Sequence, residues 1–340
     1  MSTALPDLAL PVVAAPMAGG PGTPAFVVAA GRAGGMGFLA GGYQPPEALA
    51  AEIAMVSATG LPFGVNLFAP NPVPVDPAAY RGYATLLAPE AARFGVELPP
   101  DPVVDDDAWR AKLEVLQQWP APLVSFTFGL PPAPDLALLR ATGAVLAQTV
   151  TSVTEARAAA AAGLDVLVVQ AAAGGGHSGT FTPERAVPMV PLPALVAEIC
   201  SAVSLPLIAA GGVGTAADVA AALGAGATLV AVGTTLLRAT EAGTSATHRA
   251  ALADPARTTT VVTRAFTGRP ARGLRNDFTD RYSALAPAGY PALHTLTRPI
   301  RRAAAAAGDP ERLHLWAGTG FRHATDEPVA TILARLASAA

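Results

Sequence analysis

Eight short apolar runs, most of them followed by an alanine-rich stretch of helical character, set the architecture this chain can adopt. The runs span residues 11–15, 35–39, 63–67, 123–127, 144–149, 166–170, 207–210 and 229–232. They are nearly continuous in apolar residues, as strands covered on both faces of a parallel sheet are. Helices are expected between them at 24–32, 45–59, 133–142, 153–162, 192–202 and 216–223, with another at 234–242 after the last run. Caps support several of these: Thr151 and Ser152 precede Glu155, Thr215 precedes Asp218, and Gly163 and Gly224 stand where helices should stop. Strand and helix in alternation indicate an α/β fold. An open doubly wound sheet would alternate in the same way. The count of eight, and glycine or polar residues recurring just past the strand ends, favour a closed (β/α)8 TIM barrel.

Two segments fall outside the repeat. Residues 70–119 are rich in proline and carry the acidic run Asp105, Asp106 and Asp107, which reads as a solvated stretch of a capping insertion over the barrel mouth. Residues 255–340 follow the last strand, and Tyr290, Pro291 and Trp316 point to a packed, lid-like C-terminal extension rather than an independent domain. The barrel itself would then occupy residues 5–254.

Mean hydropathy is +0.41, high enough that a membrane span has to be considered. Alanine and valine carry that value, and no stretch reaches the roughly 18 uninterrupted apolar residues a span requires. The first ten residues lack the basic and apolar regions of a secretory signal. A net charge of −3 with scattered arginines offers no electrostatic footprint for nucleic acid or an anionic membrane. Cys200 is the single cysteine, which leaves no internal disulfide and no cysteine-built metal site. A cytoplasmic protein acting on small molecules is the expectation.

Three constellations could carry chemistry. Gly211 and Gly212 follow one late strand, and Gly233 and Thr234 follow the next, each between strand and helix. Glycines allow close approach of backbone to an anion and a helix start offers free N–H groups, so the pair reads as a phosphate cradle. Gln170 ends a strand and leads through a mobile glycine stretch, Gly174 to Gly176, to His177. The Gln170 amide could meet a planar heterocycle with both donor and acceptor. An imidazole with a pKa near about 6.5 suits proton transfer at neutral pH. Finally, Ala15, Pro16 and Met17 after the first strand could line a flat ring, and Asn66 at the end of the third needs a polar partner.

Taken in order, Ala15-Pro16-Met17, Gly64-Val65-Asn66-Leu67-Phe68, Gln170 with Gly176-His177-x-Gly179, Ala210-Gly211-Gly212-Val213 and Val232-Gly233-Thr234 resemble the nitronate monooxygenase (2-nitropropane dioxygenase-like) family. The likeness continues through Gly289-Tyr290-Pro291, Arg301 and Leu315-Trp316-Ala317-Gly318-x-Gly320, so it runs from about residue 5 to 335. It implies an FMN site in which Asn66, Gln170, Gly175, Gly211, Gly212 and Ala231, Val232, Gly233 and Thr234 contact the flavin or its phosphate. Ala15, Pro16 and Met17 would lie along the ring. His177 matches the family's active-site histidine, taking the α-proton of a nitroalkane or orienting an anionic nitronate. The implied reaction uses O2 and gives a carbonyl compound and nitrite. Tyr290 and His294 would reach the barrel mouth as substrate contacts.

Four positions depart from the family pattern. Ser178 stands where a basic residue often follows the histidine, Ala231 and Thr319 where glutamines are frequent, and His294 where a lysine is often found near the tyrosine. They leave the cradle intact and change polar groups that could face a substrate. A flavin-dependent enoyl-thioester reductase using NAD(P)H shares these loops and is the alternative enzyme; a non-catalytic flavin-binding protein is the alternative class. A purine-nucleotide dehydrogenase would need a loop cysteine, and Cys200 falls in a helix. His248 is expected at the surface, His314 and His323 packed or exposed beside Trp316, and Cys200 buried on an apolar helix face. No metal site is expected. The helical outer face of such a barrel suits a homodimer, although no segment marks an interface.

Overall fold

A computed structural model describes residues 5–340. Strands β1 (Val12–Ala14), β2 (Met36–Ala40), β3 (Phe63–Phe68), β4 (Leu123–Thr127), β5 (Val145–Val150) and β6 (Val166–Gln170) follow one another in the sheet. After the short β7 (Gly176–His177) the series resumes with β8 (Leu207–Ala210) and β9 (Leu229–Val232). β9 lies parallel to β1 with Val13 opposite Ala231, which closes an eight-stranded (β/α)8 barrel. The eight apolar runs are its eight strands.

Side-chain alternation along these strands divides the core in two. Val13, Phe38, Leu123, Val166, Ile208 and Leu229 form one cluster, inside the barrel. Val12, Leu39, Val65, Val124, Leu146 and Val230 belong to a second that includes the outer helices. Each such side chain, fully buried, contributes about 1.5–3 kcal/mol. At the C-terminal ends of β1, β8 and β9 the inward positions fall to Ala15, Ala210 and Ala231, and a cavity opens above them.

Local chemistry sets the helix limits. Thr23 accepts from the Phe26 N–H ahead of Pro24, Ser152 accepts from the Glu155 N–H, and Thr215 and Asp218 form a reciprocal capping box. Gly163 turns left-handed after its helix, whereas Gly224 stays helical and the reversal falls at Gly226. The expected helix over 234–242 is not formed. Thr234–Leu236 makes a single 3-10 turn, and the Thr240 N–H is donated to Glu327 of the tail instead of to a preceding turn. Cys200 is exposed: its helix buries Leu192, Leu195, Val196 and Ile199, and position 200 falls off that stripe.

Within the 70–119 segment, the helix Trp109–Gln118 packs against Pro46–Ser57 and Ala133–Arg140 as part of the outer ring. The helix Pro77–Phe94 lies instead on the tail helix Ala292–Ala306. Tyr80, Tyr83 and Leu87 there form a separate core with Phe266, Phe278, Leu293 and Ile300. The last helix, Val329–Leu336, returns to the barrel and packs on Pro24–Arg32. The tail also holds two strands, β10 (Thr260–Thr263) and β11 (Ala271–Leu274), which the apolar pattern does not announce. β11 pairs antiparallel with β7, so the glycine stretch ending in His177 is one edge of a three-stranded sheet. Among the described residues, no helix is long and apolar enough to cross a membrane, and no cluster of three or more His, Cys, Asp or Glu could hold a metal.

A buried ion pair ties the 70–119 segment to the tail. Glu90 is 3% exposed and accepts from Arg312 Nε at 3.0 Å, from Arg281 Nη1 at 3.3 Å and from Tyr282 Oη at 3.3 Å. Glu90→Ala would leave the Arg312 guanidinium buried with only the more exposed Asp277 beside it. The expected loss is about 3 kcal/mol of unfolding free energy, read from urea melts; an unchanged midpoint would show that this pair does not hold the two segments together.

Candidate active site

The cavity at the C-terminal ends of the strands has a volume of about 800 Å³. Ala15, Pro16 and Met17 after β1, Asn66 on β3, Gln170 on β6, Gly175, His177, Gly211 and Gly212 after β8, and Ala231, Val232, Gly233 and Thr234 on and after β9 all line it. One cavity therefore gathers every proposed cofactor contact and the histidine. His294 also lines it. Tyr290 stands behind the rim, its ring centroid 5.7 Å from that of His177 and its hydroxyl 3.3 Å from the Tyr43 hydroxyl.

One end of the cavity is bare backbone. Gly211 and Gly212 adopt φ of +109° and +82° directly after β8. A methyl on Gly211 would lie 2.7 Å from Ala171 O, and one on Gly175 would lie 2.6 Å from the Gly318 nitrogen. Thr234 Oγ1 accepts from the Gly318 N–H at 2.9 Å, drawing the tail onto the β9 loop. No group among the described residues accepts from the N–H of Gly212, Gly233 or Thr234. Open amides on close-packed glycine backbone fit a phosphate. Across the cavity, the Asn66 amide nitrogen donates to Ser125 Oγ at 2.9 Å and Thr127 Oγ1 at 3.0 Å, so it is not orphaned.

Gln170 lines the cavity and also acts within the protein. Its Nε2 donates to His177 O at 3.1 Å and its Oε1 accepts from the Gly179 N–H at 2.7 Å. The amide thus clamps the loop that carries the histidine. Pairing of His177 with Ala271 across β7 and β11 holds the other side. The imidazole is presented by a braced strand, not by a mobile loop.

His177 Nε2 lies 2.9 Å from Thr267 Oγ1, and that hydroxyl lies 3.3 Å from Arg269 O. The Thr267 hydroxyl has one proton within reach of both Nε2 and Arg269 O, so Nε2 is tied to Thr267 in either tautomer. Burial, then the Arg269 and Arg301 charges, push the His177 pKa down to about 3, so the ring is neutral at pH 7. Arg269 is fully buried, donates to Ser178 O and Thr180 O, and stacks over Phe128 at 4.1 Å. Arg301 lines the cavity and donates to His294 O at 2.7 Å; among the described residues neither arginine has a carboxylate within ion-pair distance. His294 stacks on Tyr43 at 4.4 Å and turns Nδ1 towards Arg301 at 3.3 Å. Burial holds the Tyr290 phenol well above 10 and raises that of Tyr43 to about 12, so both stay protonated.

Tyr43 and Trp316 line the candidate site and Arg269 lies beside it, although sequence patterning singles none of them out for chemistry. Their places depend on the β7–β11 pairing and on loops from three distant parts of the chain. His248 also departs from expectation: it sits on a surface helix, Ala246–Ala253, but its ring turns into the cavity with Nε2 buried and without a partner. His314 lines the cavity beside Trp316, whereas His323 is exposed. Of the departing positions, Thr319 is exposed and near Gly212, while Ala231 leaves the cavity floor open.

The nitronate monooxygenase family model matches residues 2–338 of the chain. A probable nitronate monooxygenase of Staphylococcus aureus strain Newman is 34% identical over 339 residues, covering 98% of this chain and 95% of that protein. Among solved structures, the nitroalkane oxidase of Streptomyces ansochromogenes superposes with a TM-score of 0.92 at 43% identity, covering 97% of this chain and 95% of that one. FabK from Thermotoga maritima superposes with a TM-score of 0.73 at 25% identity, covering 97% and 92%.

Proposed function

The chain belongs to the nitronate monooxygenase family, a flavin-dependent family of oxidoreductases, and from that premise we propose that it oxidises alkyl nitronates with O2 to carbonyl compounds and nitrite, using FMN. The observation that carries this reading is the neutral His177, held by Thr267 under the field of Arg269 and Arg301, in the same cavity as the open glycine cradle. Bound FMN would supply the electron transfer between substrate and O2, and the protein supplies placement. Gly211, Gly212, Gly233 and Thr234 would hold the phosphate, and Ala15, Pro16 and Met17 would lie against the ring.

The charge arrangement favours one ionisation state of the substrate. Two guanidiniums without carboxylate partners attract a nitronate anion far more than a neutral nitroalkane. An anion bound there would also raise the His177 pKa again, making the imidazole a better proton acceptor. Nitronates are therefore the preferred substrates, and nitroalkanes react more slowly because His177 must take their α-proton in a cationic setting.

The test is the visible spectrum of the purified protein followed by anaerobic propyl-2-nitronate. Flavin bands near about 370 and 450 nm that the nitronate alters support the proposal. Bands that do not respond, but bleach with NAD(P)H and reoxidise with an enoyl thioester, would move the assignment to a thioester reductase. The cradle has its own check. Gly211→Ala forces a side chain into the left-handed region against Ala171 O. Flavin affinity should fall on the order of tenfold or more, measured by retention through dialysis; full retention would remove Gly211 from the phosphate site.

A further inference from the structure

A second cavity, of about 320 Å³, lies behind β7, and Gly176 and His177 form part of its wall as well as of the main cavity's. Its other lining residues include Arg185, Arg264 and Arg272 together with Val187, Met189 and Val262, and no acidic residue. Arg272 is only 8% exposed, yet among the described residues no carboxylate lies within ion-pair distance of it. Its guanidinium donates to Ala172 O at 2.7 Å, to Thr260 Oγ1 at 3.1 Å and to the thioether of Met189 at 3.1 Å. A thioether is a weak acceptor for a buried cation, and Met189 is itself 61% exposed. Arg264 Nε is buried without a partner among the described residues, while its Nη2 donates to Pro183 O at 2.9 Å and Glu184 O at 3.3 Å. Burial lowers the Arg272 pKa, and no acidic neighbour offsets the effect. A buried cation left without an anion is costly, and a guanidinium fork matches a planar oxyanion.

We propose that this cavity is an anion site for a short-chain monocarboxylate, its head on Arg272 and Arg264 and its alkyl chain against Val187, Met189 and Val262. The carboxylate would displace the Met189 sulfur from Arg272. Nitrite has the same planar pair of oxygens but no chain, so it binds the same arginines more weakly. Arg272 faces Gly176 in the β11–β7 pairing, and Ala271 faces His177. An anion held by Arg272 therefore braces the strand that presents the histidine. The inference does not depend on the substrate assigned to the main cavity.

Calorimetric titration of the flavin-loaded protein with hexanoate, hexanamide and sodium nitrite tests it. Hexanoate should bind below about 1 mM, nitrite at least tenfold more weakly, and the neutral amide not at all. Met189→Glu puts a carboxylate beside Arg272 from an exposed position, so the fold is retained; hexanoate binding should weaken at least tenfold and Tm should not fall. Arg264→Gln should weaken it several-fold. Hexanoate that fails to bind the unaltered protein at roughly 10 mM overturns the proposal. So does equal binding by Met189→Glu, which would place the anion elsewhere, or equal binding of hexanamide, which would make the cavity merely apolar.

Discussion

His177→Asn is expected to lower kcat/KM for a nitroalkane, whose α-proton the imidazole must take, by 10²- to 10⁴-fold, about 3–5 kcal/mol, while the protein keeps its flavin. The reasoning is positional. His177 faces the cavity but belongs to neither glycine loop, so removing its ring leaves the cradle of Gly211, Gly212 and Gly233 untouched. Its strand is held through backbone pairing with Ala271 and through the Gln170 clamp, and both survive the substitution. What is lost is an imidazole held through Nε2 by Thr267 that can take a proton or face an anion. Asparagine is polar but cannot accept a proton at neutral pH. A second signature accompanies the first. Because the His177 pKa is held near 3 in the free protein, kcat/KM should show no limb at the ordinary histidine pKa. Turnover that survives with flavin bound would make His177 a structural residue and place the chemistry on other groups of the cavity. The pH profile and the flavin spectrum separate a chemical role from a folding defect.

Much of the candidate site is legible because it sits at strand ends. Each barrel strand is buried on both faces, so it writes a continuous apolar run, and the residue after it is the one that reaches the mouth. That is why His177, Gly211, Gly233 and Met17 stand out in the sequence. The exceptions share a cause. Arg269 lies between two segments that look like ordinary surface chain, and it becomes part of the site only because β11 pairs with a two-residue strand far away. Gln170 shows the same limit from the other side. Its position at the end of β6 is readable, but whether its amide faces a ligand or the Gly179 N–H depends on the path of a glycine loop that has no periodicity. His248 escapes the pattern because helical spacing gives a face, not what lies across from it; here the tail turns Pro310–Arg312 and Phe321–His323 pack on that helix. The departure at Ala231 now has a steric content: a small side chain at the cavity floor, where a longer amide would occupy space.

Acid should destabilise this protein well before its carboxylates titrate. Four histidines, His177, His248, His294 and His314, line the main cavity and are held below the ordinary imidazole range, His177 at about 3 and His248 at about 4. Burial is the largest cause in all four, and neighbouring Arg301 adds to it for His177, His294 and His314. In the unfolded chain each would titrate near about 6.5. Between those values the unfolded state binds the protons and the folded state does not, so stability rises with pH. It is fully present above the unfolded pKa and is lost as pH falls towards the folded ones. At pH 5 each fully buried imidazole withholds about 2 kcal/mol from the folded state, less where solvent reaches the ring. Urea melts of the flavin-loaded protein at pH 7.5, 6 and 5 should therefore lose several kcal/mol, with a slope approaching four protons between pH 6 and 5. His314→Leu should reduce that slope by one proton, since its Nδ1 is buried without a partner and nothing else there replaces its titration. Stability that stays flat from pH 7.5 to 5 would mean that these rings take up protons while folded. The electropositive, proton-excluding cavity inferred for anionic substrates would then be wrong, whatever the protein's turnover.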